Sequence, residues 1–202
     1  NFITYNIKSK YSIELKNAED KPDFSNMLSN IGNNNERSDL IISYILDILK
    51  DQEREILVLS KRKNQLKYLK NQLDNLSISC GLYTGDQSEE EREETITKKV
   101  ILGSVDLCSE AFNVPKLNTL ILATPSKNNT RTNKFTQTVG RILRKKHNIN
   151  PIIIDISDPF SSFSGMSRTR KKYYINNPDC SFKSIIIEDI NDFTLPLITK
   201  LE

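Results

Sequence analysis

A single histidine, His147, and three widely spaced cysteines, Cys80, Cys108 and Cys180, leave a zinc site or a histidine-based triad almost no material in this 202-residue chain. The cysteines show no paired ligand spacing, so they are expected to act as small buried hydrophobes in a reducing, intracellular setting. No apolar run reaches membrane-spanning length, which predicts a soluble protein without a membrane partner. No stretch matches Gly-x-x-x-x-Gly-Lys-Ser/Thr, and no paired acidic metal-binding motif is present. A charge of one sign is lacking too. With 29 basic against 26 acidic residues, net +3, bulk attraction to nucleic acid is too mild to matter, and any such binding must come from local placement. The chain opens on Asn1 without a methionine or signal peptide, which suggests a piece of a longer protein.

What is present is concentrated in one octapeptide, Gln137-Thr138-Val139-Gly140-Arg141-Ile142-Leu143-Arg144. Val139, Ile142 and Leu143 can anchor a helix, on which Arg141 and Arg144 lie three residues apart on neighbouring parts of one face. Two planar, permanently charged forks converging on one point suit a transferring phosphoryl group. An amphipathic helix with surface arginines remains the alternative from these residues alone.

The rest of the chain alternates strand and helix patterns. Short apolar runs at Ile56–Leu59, Ile78–Tyr83, Val100–Leu102, Leu117–Ala123 and Pro151–Ile156 read as strands buried on both faces, with shorter candidates at Phe2–Ile7 and Ser184–Glu188. Ser38 can cap a helix striped by Leu40, Ile41, Tyr44, Ile45, Ile48 and Leu49. Leu66, Leu69, Leu73 and Leu76 share a second helical face, the acidic stretch 89–94 reads as a solvated helix, and a short helix runs from about Asp106 to Ala111. Residues 31–35, 161–165 and the polar stretch that follows Thr124-Pro125 as far as Asn133 read as loops. This order implies an α/β fold with a mainly parallel sheet and helices on both faces. Ligands are then expected at the carboxyl ends of the strands. Residues 1–37 are expected to form an interdomain linker or edge segment, 38–160 the domain proper, and 161–202 an extension. The run Arg168, Arg170, Lys171, Lys172, Tyr173, Tyr174 offers either a basic patch with aromatics for stacking or a solvated helix with its tyrosines packed inward.

Four strand-end motifs occur in a familiar order. Ile56–Arg62, Gly81–Asp86, Gly103–Pro115 and the octapeptide resemble motif IV, the following strand-turn motif, motif V and motif VI (QxxGRxxR) of the second RecA-like domain of superfamily 2 helicases. The resemblance covers roughly residues 38–156. The run Asn113–Pro125 is similar to helicases of large cytoplasmic DNA viruses, of the poxvirus transcript-release type. This likeness implies a RecA-like three-layer sandwich and ATP with Mg2+ as cofactors, held mainly by an N-terminal RecA-like domain of the same polypeptide. It further implies DNA or RNA as partner, and the transcription machinery with it. A viral protein would work in the host cytoplasm or the virion. Carried over by motif, Arg141, Arg144 and Gln137 become the catalytic set, and Gly140, Asn113 and Glu110 border the nucleotide. Ser60, Lys61, Arg62, Gly85, Gly103 and Ser104 become backbone contacts to nucleic acid. Two departures stand out: Ala111-Phe112-Asn113 replaces the family's Gly-x-Asp, and Thr84 stands where His is common. Lacking a phosphate loop, the 202 residues alone are expected not to hydrolyse ATP. The competing readings are a RecA-like domain that only binds nucleic acid or protein, and a doubly wound nucleotide-binding enzyme of another kind; against the latter, no Gly-rich loop follows any strand.

Overall fold

The computed structural model describes residues 1–9, 12–110, 112–126, 136, 137, 139, 140 and 147–186. Within them lies a seven-stranded sheet in the order β3-β4-β2-β5-β6-β1-β7, built from β1 (Phe2–Lys8), β2 (Ile56–Ser60), β3 (Cys80–Tyr83), β4 (Val100–Ser104), β5 (Thr119–Leu122), β6 (Ile152–Ser157) and β7 (Cys180–Ile186). Every strand pairing in it is parallel. Helices include α1 (Phe24–Asn33), α2 (Asn35–Ile48), α3 (Lys63–Asn75), α4 (Glu89–Thr95), α5 (Val105–Glu110) and α6 (Ser161–Ile175), and the described residues 136, 137, 139 and 140 are helical too. The expected α/β sandwich is present.

Strand alternation divides the core in two. Ile56 and Val58, Val100 and Leu102, Ile121 and Ala123, and Ile152, Ile154 and Ile156 face a cluster with Ile41, Tyr44 and Ile45 of α2 and Leu66, Leu69 and Leu73 of α3. The intervening Leu57, Leu59, Ile101, Leu120, Leu122 and Ile153 face a second cluster with Cys108, Phe112, Leu117, Val139 and Tyr174. Both faces are therefore dry, which is why these strands are apolar runs without period-two polarity. A smaller cluster joins Met27, Leu28 and Ile31 of α1 to Phe163 and Met166 of α6.

Several local expectations are corrected. Residues 31–33 end a helix, and Asn34, not Ser38, caps α2: its side chain accepts from the Arg37 amide at 2.7 Å, while Ser38 is buried inside the helix. Leu76 falls one residue past the end of α3 and is half exposed. The serine-rich run 161–165 is the first turn of α6, because Phe163 and Met166 bury against α1. The acidic helix α4 is solvated as expected and opens on a Ser88/Glu91 capping box. β1 sits inside the sheet between β6 and β7, and β7 forms one edge, so the chain's first strand and residues 180–186 complete the sheet.

Candidate functional site

In an all-parallel sheet every carboxyl end points to one edge. Register puts Ser60 opposite Ser104, Tyr83 opposite Gly103, and Lys8 opposite Ser157. Ser60, Lys61, Arg62, Gly103 and Ser104, with Gly85 just beyond β3, thus gather at the edge that the sequence singled out.

Their individual surroundings differ. The Ser60 hydroxyl is fully buried and donates to Gln65 Oε1 at 2.8 Å, while it accepts from the Arg62 amide at 3.0 Å. Gln65 Nε2 in turn donates to Ser38 Oγ. Ser60 therefore shapes the turn into α3 from inside the fold. The Lys61 amide donates to Thr124 Oγ1 at 3.0 Å, tying the β2 exit to the β5 exit. Arg62 lies against Gly32 of α1, and its Nη2 donates to the Ser25 carbonyl at 3.0 Å. Gly103 is buried, and a Cβ there would overlap Cys108 Sγ. Gly85 is exposed with nothing within 4 Å of where a Cβ would stand; Ser104 is half-buried.

The edge has an electropositive element of its own. α3 follows Arg62, which gives it no side-chain cap, so its first-turn N–H groups carry the positive end of a thirteen-residue helix toward the strand ends. Lys63 stands there, paired to Asp86 from the β3 exit loop at 2.6 Å, and that pairing holds the Asp86 carboxyl below its ordinary range. Backbone donors and lysines in this setting suit phosphates better than bases.

Of the predicted nucleotide-proximal residues, Gln137 and Gly140 are helical; Gln137 is exposed and Val139 between them is fully buried in the second cluster. Among the described residues, nothing stands within 4 Å of a Cβ built on Gly140. Asn113 is exposed beyond α5, after the buried Phe112, whose ring meets Tyr83 edge-on at 4.8 Å. Arg141, Arg144, Ala111 and the expected loop 127–133 lie outside the described residues, as does the Glu110 side chain.

Two features escaped the sequence reading. Arg37 of α2 and Arg170 of α6, from opposite faces of the sheet, are both fully buried. The Arg37 fork holds Asp158 (Nε to Oδ1 2.9 Å, Nη2 to Oδ2 2.8 Å), and Ser9 Oγ donates to the same carboxylate at 2.6 Å. The Arg170 fork holds Asp155 (Nε to Oδ2 2.7 Å, Nη2 to Oδ1 2.8 Å), with the Tyr174 hydroxyl donating at 3.1 Å. Burial alone would pull the Arg170 pKa down; the Asp155 charge outweighs it and leaves it raised. Burial, aided by Asp155, likewise pushes the Tyr174 phenol well up. Buried Arg170 and Tyr174 are thus removed from the basic, aromatic run expected of this segment, leaving Arg168, Lys171 and Lys172 on the exposed side.

Comparison with known proteins agrees with this architecture. The family model of the helicase conserved C-terminal domain matches residues 37–146. A curated protein, "Putative ATP-dependent RNA helicase L396" of Acanthamoeba polyphaga mimivirus, is 34% identical over 173 residues, covering 83% of this chain and 31% of that protein. The chain thus spans about a third of the curated relative's length. Among solved structures, T4 UvsW superposes with a TM-score of 0.64 at 18% identity, over 92% of this chain and 41% of that one. S. cerevisiae Dbp5 bound to RNA and ADP BeF3 gives 0.60 at 12% identity, over 100% and 46%. At such identities the structures speak for the fold, and that fold is RecA-like. With the family model spanning more than half of the 202 residues, the chain belongs to the helicase conserved C-terminal domain family.

Proposed function

We propose that this chain is the C-terminal motor domain of an ATP-dependent nucleic-acid helicase or translocase, working against a first RecA-like domain in the complete polypeptide. The observation that carries the reading is the convergence of all strand carboxyl ends on one edge, with the uncapped start of α3 and Lys61 and Lys63 beside it. Nucleic acid runs along that edge by its phosphates, met by backbone N–H groups, Lys61, Ser104 and Gly85. Ser60, Arg62 and Gly103 hold the edge in shape from beneath. RNA is the favoured partner, since one relative is named an RNA helicase and one similar structure holds RNA. Transcript release, as in the poxvirus type, is the narrowest form of the same reading.

ATP and Mg2+ fit this chain only as a half-site. The 202 residues contain no phosphate loop, and among the described residues no group of three or more His, Cys, Asp or Glu is placed to hold an ion. What the chain offers is Gln137, Gly140, Arg141 and Arg144 of the octapeptide, with Asn113 and Glu110 carried by motif to the nucleotide side. Bound ATP–Mg2+ supplies the phosphoryl group and the metal's charge. Arg141 and Arg144 neutralise charge that builds on the phosphoryl oxygens, and Gln137 senses the closed cleft. Among the described residues nothing lies within 4 Å of a Cβ on Gly140, which is compatible with a close approach of the first domain there.

ATP hydrolysis by the complete polypeptide, measured with and without RNA and DNA oligonucleotides at two salt concentrations, tests this. Stimulation by nucleic acid, with binding that weakens steeply as salt rises, is the expected result. Sequence-specific binding indifferent to salt, with no hydrolysis, would favour the non-catalytic binding domain.

A further inference from the structure

The buried pairs Arg37–Asp158 and Arg170–Asp155 leave one guanidinium nitrogen each, and both turn to the same short stretch of backbone. Arg37 Nη1 donates to the Ala123 carbonyl at 2.6 Å and Arg170 Nη1 to the Ser126 carbonyl at 2.6 Å. Ala123–Ser126 is the exit of β5, and the next described residues in the chain, Thr136 and Gln137, are already helical. Thr124, between the two gripped carbonyls, accepts from the Lys61 amide at the β2 exit. The aspartates are fixed on their side as well: Asp155 is in β6, and Asp158 follows it and is held by Ser9 at the β1 exit.

We infer that Arg37 and Arg170 are positioning residues: they clamp the β5 exit from both faces and thereby set where the helical residues Thr136, Gln137, Val139 and Gly140 begin. The inference rests on the proposed function for its catalytic consequence, but not for the clamp. A buried fork costs desolvation that two apolar residues would avoid, so an ion pair on each face is a costly way merely to fill space. Its distinctive product is a third, directed bond to backbone, and a lysine cannot make it while holding the carboxylate, because its ammonium is compact and lacks the spread of the planar fork.

Two variants of the complete polypeptide test this. Arg170→Lys keeps the charge. Arg170→Met combined with Asp155→Leu and Tyr174→Phe makes the whole cluster apolar, leaves no buried charge behind, and keeps the fold even if Arg170→Lys fails to. Amide hydrogen exchange is followed at 123–126 and 136–140, with β2 and β4 as internal references, alongside kcat and KM for ATP. Exchange at both segments should rise at least about tenfold with the references unchanged. The kcat should fall by about tenfold or more while KM for ATP stays within about twofold, since ground-state binding rests on the other domain. Unchanged exchange at 123–126 and 136–140 overturns the clamp. Raised exchange with unchanged kcat overturns its role in positioning the arginines. If the unmodified polypeptide itself hydrolyses no ATP, the proposed function falls, and exchange still decides the clamp.

Discussion

Arg37 and Arg170 grip one segment of backbone from opposite faces of the sheet, through the carbonyls of Ala123 and Ser126. Each is fully buried against a buried aspartate. Removing one partner strands the other charge in the core, so Arg37→Ala should destabilise the protein by about 3–5 kcal/mol. The exposed pair Lys63–Asp86 is the control, and Lys63→Ala should leave the midpoint almost where it was. Urea unfolding of both variants makes the comparison. Equal shifts would mean that the Arg37 fork contributes no more than a surface contact.

The glycines separate by the space around them. A Cβ at Gly81 would press on Thr95 Oγ1 at 2.6 Å, and one at Gly103 would overlap Cys108 Sγ; at Gly140 it would meet nothing within 4 Å among the described residues. Gly81→Ala and Gly103→Ala should each cost about 1–3 kcal/mol through overpacking. Gly140→Ala, in a helix, should be neutral or stabilising by up to about 1 kcal/mol. Melting temperatures decide it. A Gly140→Ala protein that melts normally yet loses turnover would locate the close approach at the facing domain. A destabilised one would locate it inside this chain.

Two buried phenols predict the alkaline limit. Burial first, then the Asp47 charge, raises the Tyr44 pKa, and burial with Asp155 raises that of Tyr174, both from an ordinary value of 10.0. Above pH 10 the unfolded chain releases these protons while the folded chain keeps them. Stability is therefore whole below that pH and falls as pH climbs toward the folded values, by about 1.4 kcal/mol per pH unit for each tyrosine. Tyrosinate absorbance and circular dichroism, recorded together against pH, should show these two groups ionising only as the fold is lost. Their ionisation in a fully folded protein would contradict the burial argument.

Much of the fold was legible because a sheet covered on both faces writes its strands as apolar runs. Ile56–Leu59 and Pro151–Ile156 matched β2 and β6 to within a residue or two. Helix starts were less legible. Asn34 and Ser38 are both good caps by type, and what decides between them is that Ser38 is covered by α3 through Gln65. The α6 start was hidden because one phenylalanine among serines shows no period until its partner α1 is known. The site's support was the least legible part. A buried arginine looks in sequence like a solvated one, and Arg170 occurs in a run of basic residues, so only its neighbour across the fold, Asp155, reveals its task. Ser60 was found as a strand-end hydroxyl, yet its direction, inward to Gln65, belongs to packing that no local pattern encodes.

The measurement closest to the centre of this account is nucleic-acid-stimulated ATP turnover by Arg144→Ala in the complete polypeptide, with nucleotide affinity and melting temperature read on the same samples. In the proposed role the arginine meets charge that grows only in the transition state, so its loss should lower turnover by about 10³-fold or more and leave nucleotide affinity nearly intact. Arg144→Lys should recover little, because a point charge does not replace a planar fork. The melting temperature should hold, since Val139, fully buried in the second core cluster, anchors this segment to the core. Wild-type turnover in a folded Arg144→Ala protein would contradict the account and leave the octapeptide an ordinary amphipathic helix.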